Sequence, residues 1–270
     1  VLGQCQKCGG ELAKINGRAL REALNFTKAS FPTKKISNAQ WVIVCPSCDP
    51  YVLGADTTHP WPFKAADGVM RVVDDYEQSC VVAESKILDL CGFRFSEAAL
   101  VSANCLLGLE AGGTQSLELE GGSLSESSNA EDFLQFSQGV CEWGRGQRVW
   151  GNLLRHHGTE ELAQVLRSWL IFANSPCKDE DAIARGSEIK GLGVSFASKH
   201  LRMLDPERYA VLDDVLQQGL GIALNPRGYR LFLSALRTLA KEINQPMRVA
   251  NLEAALFLLV RQDVRAKADA

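Results

Sequence analysis

No run of about 18 consecutive apolar residues occurs in this 270-residue chain, so the sequence offers no segment for a membrane-spanning helix. Nor does a charged-then-apolar leader open at Val1, and the protein is accordingly expected to be soluble, intracellular and cytoplasmic. Internal repeats are missing, which sets aside solenoid and propeller architectures. An excess of positive charge is missing as well. With 29 Lys and Arg against 32 Asp and Glu, the net charge of −3 at first argues against a nucleic-acid binder. Counting by segment alters this: residues 1–50 hold 7 basic and 3 acidic side chains, residues 51–140 hold 4 and 14, and residues 141–270 hold 18 and 15. The acidity sits in the middle, and both outer segments are mildly basic.

What is present is an ordinary globular composition, 46% hydrophobic and 23% charged, long enough for about two domains and a sizeable core. Cysteine is used in two ways. Cys5-Gln6-Lys7-Cys8 and Cys45-Pro46-Ser47-Cys48 are two C-x2-C knuckles, and four thiolates at this spacing suit one tetrahedral zinc ion. A redox or disulfide pair is the competing use. A closed set of four cysteines leaves no open coordination position, so the zinc is expected to be structural. Cys80, Cys91, Cys105, Cys141 and Cys177 are scattered singly and read as small core residues.

The second feature is Gly191-Leu192-Gly193-Val194-Ser195-Phe196-Ala197, followed by Ala210-Val211-Leu212-Asp213. Apolar residues on either side have helical spacing, so the segment reads as helix, glycine hairpin, helix. Such a hairpin leaves backbone N–H groups free at the start of its second helix, where they and the helix dipole hold a phosphate without reading base sequence. Gly191, Gly193 and Ser195 are the expected phosphate-binding positions. Asp205-Pro206 reads as a stop and restart, and Asp213 lies about two turns further on.

These residues resemble the helix-hairpin-helix DNA glycosylases, a family that includes endonuclease III, the adenine glycosylase and 8-oxoguanine glycosylase. The resemblance covers about residues 129–260 and is specific over 189–216. The family hairpin reads Leu-Pro-Gly-Val-Gly, with a lysine two residues on in members that also cut the strand. Here Ile189 and Lys190 stand at the leucine and proline positions and Ser195 at the lysine position. Ala197 matches the family alanine, and Asp213 the catalytic aspartate, with Asp214 the neighbouring alternative. Lys199, four residues beyond Ser195, shares its helix face. The cysteines do not supply the C-terminal iron-sulfur spacing of endonuclease III relatives.

The resemblance implies cleavage of an N-glycosidic bond. Positive charge develops on the sugar, and a carboxylate near C1′ stabilises it or activates water, the role implied for Asp213. A lysine with a lowered pKa attacks the sugar and forms a Schiff base, the role implied for Lys199. The bland alternatives are a helix N-cap for Asp213 and a surface lysine for Lys199. The partner implied is double-stranded DNA bearing a modified base, an oxidised purine or a hypermodified base of invading DNA, in repair or in defence against phage. The competing readings are a non-enzymatic DNA-binding protein and a zinc-ribbon adaptor for another protein. The protein is expected to be a monomer.

The fold expected is mainly α: a helix-hairpin-helix glycosylase domain over 129–270, preceded by a small zinc-binding module over 1–53 and a mixed α/β linker region over 54–128. Trp41-Val42-Ile43-Val44 reads as a strand entering the second knuckle, and Glu120-Gly121-Gly122-Ser123 as a mobile loop. Helices are expected at about 130–142, 146–157, 159–173, 179–190, 194–204, 206–219, 227–243 and 249–265. Trp143, Trp150, Trp169 and Phe172 are candidates for a base pocket, although aromatics at helical spacing are usually core. His156-His157 reads as a helix C-cap, and Arg145, Arg148 and Arg155 as a phosphate-facing stripe or a solvated face.

Overall fold

The computed structural model describes residues 13–15, 42–44, 63–64, 68–71, 86–108 and 112–268. The four knuckle cysteines lie outside them. Among the described residues the chain is mainly helical, and it divides into two compact units, 1–109 with 255–270, and 110–254. None of these helices is long and apolar enough to cross a membrane.

In the first unit, β1 (Ala13–Ile15) pairs antiparallel with β2 (Val42–Val44), the strand expected before the second knuckle. A four-stranded sheet has the order β3 (Phe63–Lys64), β4 (Met70–Arg71), β6 (Phe93–Ser96), β5 (Ile87–Leu90); β4 and β6 run parallel and the other pairs antiparallel. The β5–β6 hairpin turns at Cys91 and Gly92, both at positive φ, the geometry that matches the twist of its strands. Asp89 Oδ1 accepts the Gly92 N–H at 2.8 Å. Alternation then buries Leu88, Leu90, Phe93 and Phe95 on one face. Helix α1 (Glu97–Gly108) starts where Ser96 Oγ accepts the Ala99 N–H.

The second unit is a helical bundle: α2 (Gly112–Ser123), α3 (Ala130–Trp143), α4 (Gln147–Asn174), α5 (Asp179–Glu188), α6 (Val194–Leu204), α7 (Asp214–Leu220), α8 (Pro226–Glu242) and the first residues of α9 (Val249–Ala268). Sequence chemistry sets many of these ends. Asn129 and Asp132 close a reciprocal capping box at the start of α3, and Asn225 caps α8 ahead of Pro226. Gly158, with φ 69° and ψ 170°, interrupts α4, so the parts before and after it are the two helices expected at 146–157 and 159–173, joined at a kink.

Two expectations change. Glu120-Gly121-Gly122-Ser123 is the last turn of α2, not a loop, and α2 belongs to the hairpin-bearing unit. The glycine is there for close approach: a methyl on Gly121 would lie 2.3 Å from the Met203 carbonyl oxygen of α6. Gly121→Ala is therefore expected to lower stability by about 1–3 kcal/mol, measured by urea denaturation; an unchanged midpoint would contradict this packing.

The second change concerns 206–219, where the helix begins only at Asp214. Asp205 Oδ1 holds the Glu207 and Arg208 N–H groups in a tight turn. The buried Tyr209–Leu212 segment is then held by side chains in place of helical hydrogen bonds. Tyr229 Oη donates to the Ala210 carbonyl, Glu253 Oε2 accepts the Val211 N–H and Ser198 Oγ accepts the Leu212 N–H. Arg208 fixes the turn from the other side through Asp179, with bonds to the carbonyls of Ala173, Ser175 and Cys177. His156-His157 ends the first half of α4, directly ahead of the Gly158 break, as expected.

Candidate nucleic-acid hairpin and lysine–aspartate site

The residues between α5 and α6 form the expected hairpin. Ile189 and Leu192 are buried and anchor it, Gly191 takes φ 102°, and Gly193 is exposed, with open space where a side chain would stand. Gly193 begins α6 with no side-chain cap, and its carbonyl takes the Phe196 and Ala197 N–H groups. The Val194 and Ser195 N–H groups have no acceptor among the described residues, so the turn presents two amide donors and the positive end of an 11-residue helix.

The flank of the hairpin is basic. Lys190 is exposed, and its carbonyl lies 3.2 Å from His157 Nε2. Lys190 and Arg155 lie close enough to His156 that their charges, after desolvation, push its pKa down. Arg145, Arg148 and Arg155 are all exposed, which a phosphate-facing stripe and a solvated face share.

One turn into α6 lies the lysine. Lys199 is not a surface residue: only 9% of it is exposed. Helical side chains lean toward the N-terminus, and its Nζ reaches back to Ser195 Oγ at 3.0 Å. The amine thus lies at the side chain of Ser195. Its stem is covered by the α3–α4 turn, since a methyl on Gly144 would lie 2.9 Å from Lys199 Cδ, and the Phe196 ring centroid is 4.7 Å from Nζ. Burial lowers the Lys199 pKa below the ordinary lysine value, while the Asp213, Glu253 and Asp214 carboxylates and the Cys141 thiol act in the opposite direction.

Asp213 is half-buried and is the N-cap of α7, as its bland alternative proposed. Oδ1 accepts the N–H groups of Val215 and Leu216, both at 3.1 Å. Oδ2 has no hydrogen-bond partner among the described residues, so capping occupies one oxygen and leaves the other for chemistry. Asp213 is also the carboxylate that acts most strongly on the Lys199 charge. Asp214, one residue on, is exposed. The hairpin, the amine and the carboxylate therefore belong to one short stretch of the same unit.

The aromatics divide. Trp169 is core, 3% exposed, with Nε1 donating to the Ala182 carbonyl at 2.8 Å. Trp143 is 38% exposed and donates to Thr114 Oγ1; Phe172 lies under the Arg185 guanidinium. Phe196, at the lysine, was not among the aromatic candidates. Ser198 and Glu253, which hold the segment ahead of Asp213, carry no local motif. Glu253 is far from Asp213 in sequence and becomes its neighbour only when α9 packs.

Comparison with known proteins returned no match. That holds for protein-family models, for curated proteins and for solved structures.

Proposed function

We propose that the protein is a DNA glycosylase that removes a modified base from duplex DNA, with strand-cleaving lyase activity through Lys199. The observation that carries this reading is a buried lysine of depressed pKa, drawn onto Ser195 and opposed by Asp213, immediately after an amide-presenting hairpin. The hairpin and its basic flank hold the phosphate backbone. The target nucleotide is then taken out of the stack, as base chemistry in a duplex requires. Asp213 stabilises the positive charge that grows at C1′ as the glycosidic bond breaks. The neutral Lys199 amine attacks C1′; the base leaves with the bonding electrons and takes up a proton. Ring opening gives the iminium C1′=N⁺, with a proton of the attacking nitrogen passing to O4′; loss of the C2′ proton to water or the departed base then expels the 3′ phosphate and cuts the strand. An oxidised purine or a hypermodified base of invading DNA is the substrate class. The spacing of Cys5, Cys8, Cys45 and Cys48 supports a structural zinc ion outside this chemistry.

Base release and strand scission on duplexes carrying oxidised, deaminated, alkylated and hypermodified bases test the reading; binding without release across the panel would sink it. Borohydride trapping of the iminium should be lost in Lys199→Gln. Because only the neutral amine attacks and burial depresses its pKa, trapping should rise with pH and level off above a midpoint below the ordinary lysine value. A midpoint at that ordinary value would contradict the assigned role. The helix-capping geometry of Asp213 favours a second reading, a DNA-binding protein without catalysis. Both readings predict binding that weakens steeply with salt.

A further inference from the structure

The carboxylate that acts most strongly on Lys199 after Asp213 is Glu253, in the first turns of α9. It is only 4% exposed and makes one specific contact that organises the site: Oε2 accepts the Val211 N–H at 3.1 Å, two residues ahead of Asp213. On the next residue, Ser198 Oγ accepts the Leu212 N–H at 3.0 Å, while the same hydroxyl lies 2.9 Å from the Ser195 carbonyl, which in turn faces Lys199 Nζ. The extended segment is thus held between α6 and α9, and its last residue is the carboxylate of the candidate site. A buried backbone N–H needs a partner, yet water or a neutral side chain would serve. Burying a carboxylate for the purpose is costly, and burial pushes the Glu253 pKa up to about 8.

We infer that Glu253 is the positioning residue of this site: its carboxyl holds the Val211 N–H so that the segment delivers Asp213 to the Lys199 amine. The inference rests on the glycosylase reading for its catalytic consequence, but its geometric content stands apart. Charged groups face Glu253 from each side. Arg202 and Lys199 come from α6 and Asp213 from the start of α7, while Tyr229 of α8 also feels its charge. Ionisation of Glu253 adds a negative charge beside Lys199 and raises the lysine pKa; protonation withdraws it.

Two neutral replacements separate the hydrogen bond from the charge. Glu253→Gln keeps a carbonyl oxygen for the Val211 N–H, and Glu253→Met removes it at similar length. In protein carrying 13C-labelled lysine, the Lys199 resonance, assigned with Lys199→Arg, reports the midpoint of the amine. Glu253→Gln is expected to lower that midpoint, since one carboxylate is gone. Glu253→Met should lower it further, because Asp213 also moves away, and this extra step should vanish in the Asp213→Asn background. In single-turnover base release, Glu253→Met should lose about 100-fold in rate with little change in DNA affinity, and Glu253→Gln should recover most of it.

Glu253→Asp is the second probe should the methionine variant not fold. It keeps the charge one methylene short of Val211 and should lose rate in the same sense. Equal Lys199 midpoints in the folded Gln and Met variants, or a wild-type rate in Met or Asp, would overturn the inference. If no duplex releases a base, the glycosylase reading fails while the Lys199 titration still decides the role of Glu253.

Discussion

Asp213→Asn is expected to lower base release by about 10²–10⁴-fold while leaving the fold and DNA binding intact. The separation follows from the two oxygens of the carboxylate. Oδ1 caps α7 by accepting the Val215 and Leu216 N–H groups, and the asparagine oxygen does the same, since asparagine and aspartate are about equal as N-caps. What asparagine lacks is the negative charge. A developing cation at C1′ would lose its stabilising partner, and the Lys199 amine would lose the carboxylate that most favours its ammonium form. The Lys199 midpoint should therefore fall in Asp213→Asn even as turnover is lost. Asp213→Ala should add a capping loss of about 0.5–2 kcal/mol. Thermal melts, a binding isotherm on a modified duplex and single-turnover release check the three parts together. Unchanged release in Asp213→Asn would assign the residue to capping alone and favour the non-catalytic DNA-binding reading.

Arg202→Met is expected to destabilise the hairpin-bearing unit by about 3–5 kcal/mol, the usual cost of leaving a buried charge without its partner. Arg202 is 5% exposed in the last turn of α6, a helix that also buries Ser198, Lys199 and His200. Its guanidinium meets Glu118 Oε1 of α2 at 2.9 Å, a close ionic contact outside hydrogen-bond alignment, and Arg248 meets the other oxygen at 3.0 Å. Removing Arg202 leaves Glu118 with only the more exposed Arg248, and it takes from Glu253 the cation that most favours its ionised form. The double variant Glu118→Met/Arg202→Met removes both buried charges and should recover most of the loss, as apolar replacement of a buried pair often does. Urea denaturation of the two variants measures this. A single-variant loss below about 1 kcal/mol would put the pair in the class of exposed ion pairs.

Much of the hairpin-bearing unit is legible in the residue order because its determinants are local. Asn129 and Asp132, Asn225 and Pro226, and the apolar spacing of α3, α5, α6 and α8 all act within one or two turns, so composition and period are enough. The hairpin is legible for the same reason. Gly191 must take positive φ, and the free amides follow from Gly193 opening a helix without a side-chain cap. The misread elements share one physical cause. The 206–213 segment carries a helix-starting Pro206, but the side chains of Ser198, Tyr229 and Glu253 satisfy its backbone, and those partners are distant in the chain. Gly121 and Gly122 read as a loop because glycine is the poorest helix former after proline. Only the Met203 carbonyl pressed against Gly121 explains the choice.

The sequence by itself determined the helical character of most of residues 130–265, the hairpin and the pair of candidates, Lys199 and Asp213, because each depends on residues a few positions apart. Tertiary structure alone decided that Lys199 is buried and leans onto Ser195, that one oxygen of Asp213 is occupied by capping, and that Glu253 and Arg202 stand behind them. Burial and electrostatic coupling depend on what packs against a side chain, and here the partners come from α2, α7 and α9. Spacing along the chain carries no record of that.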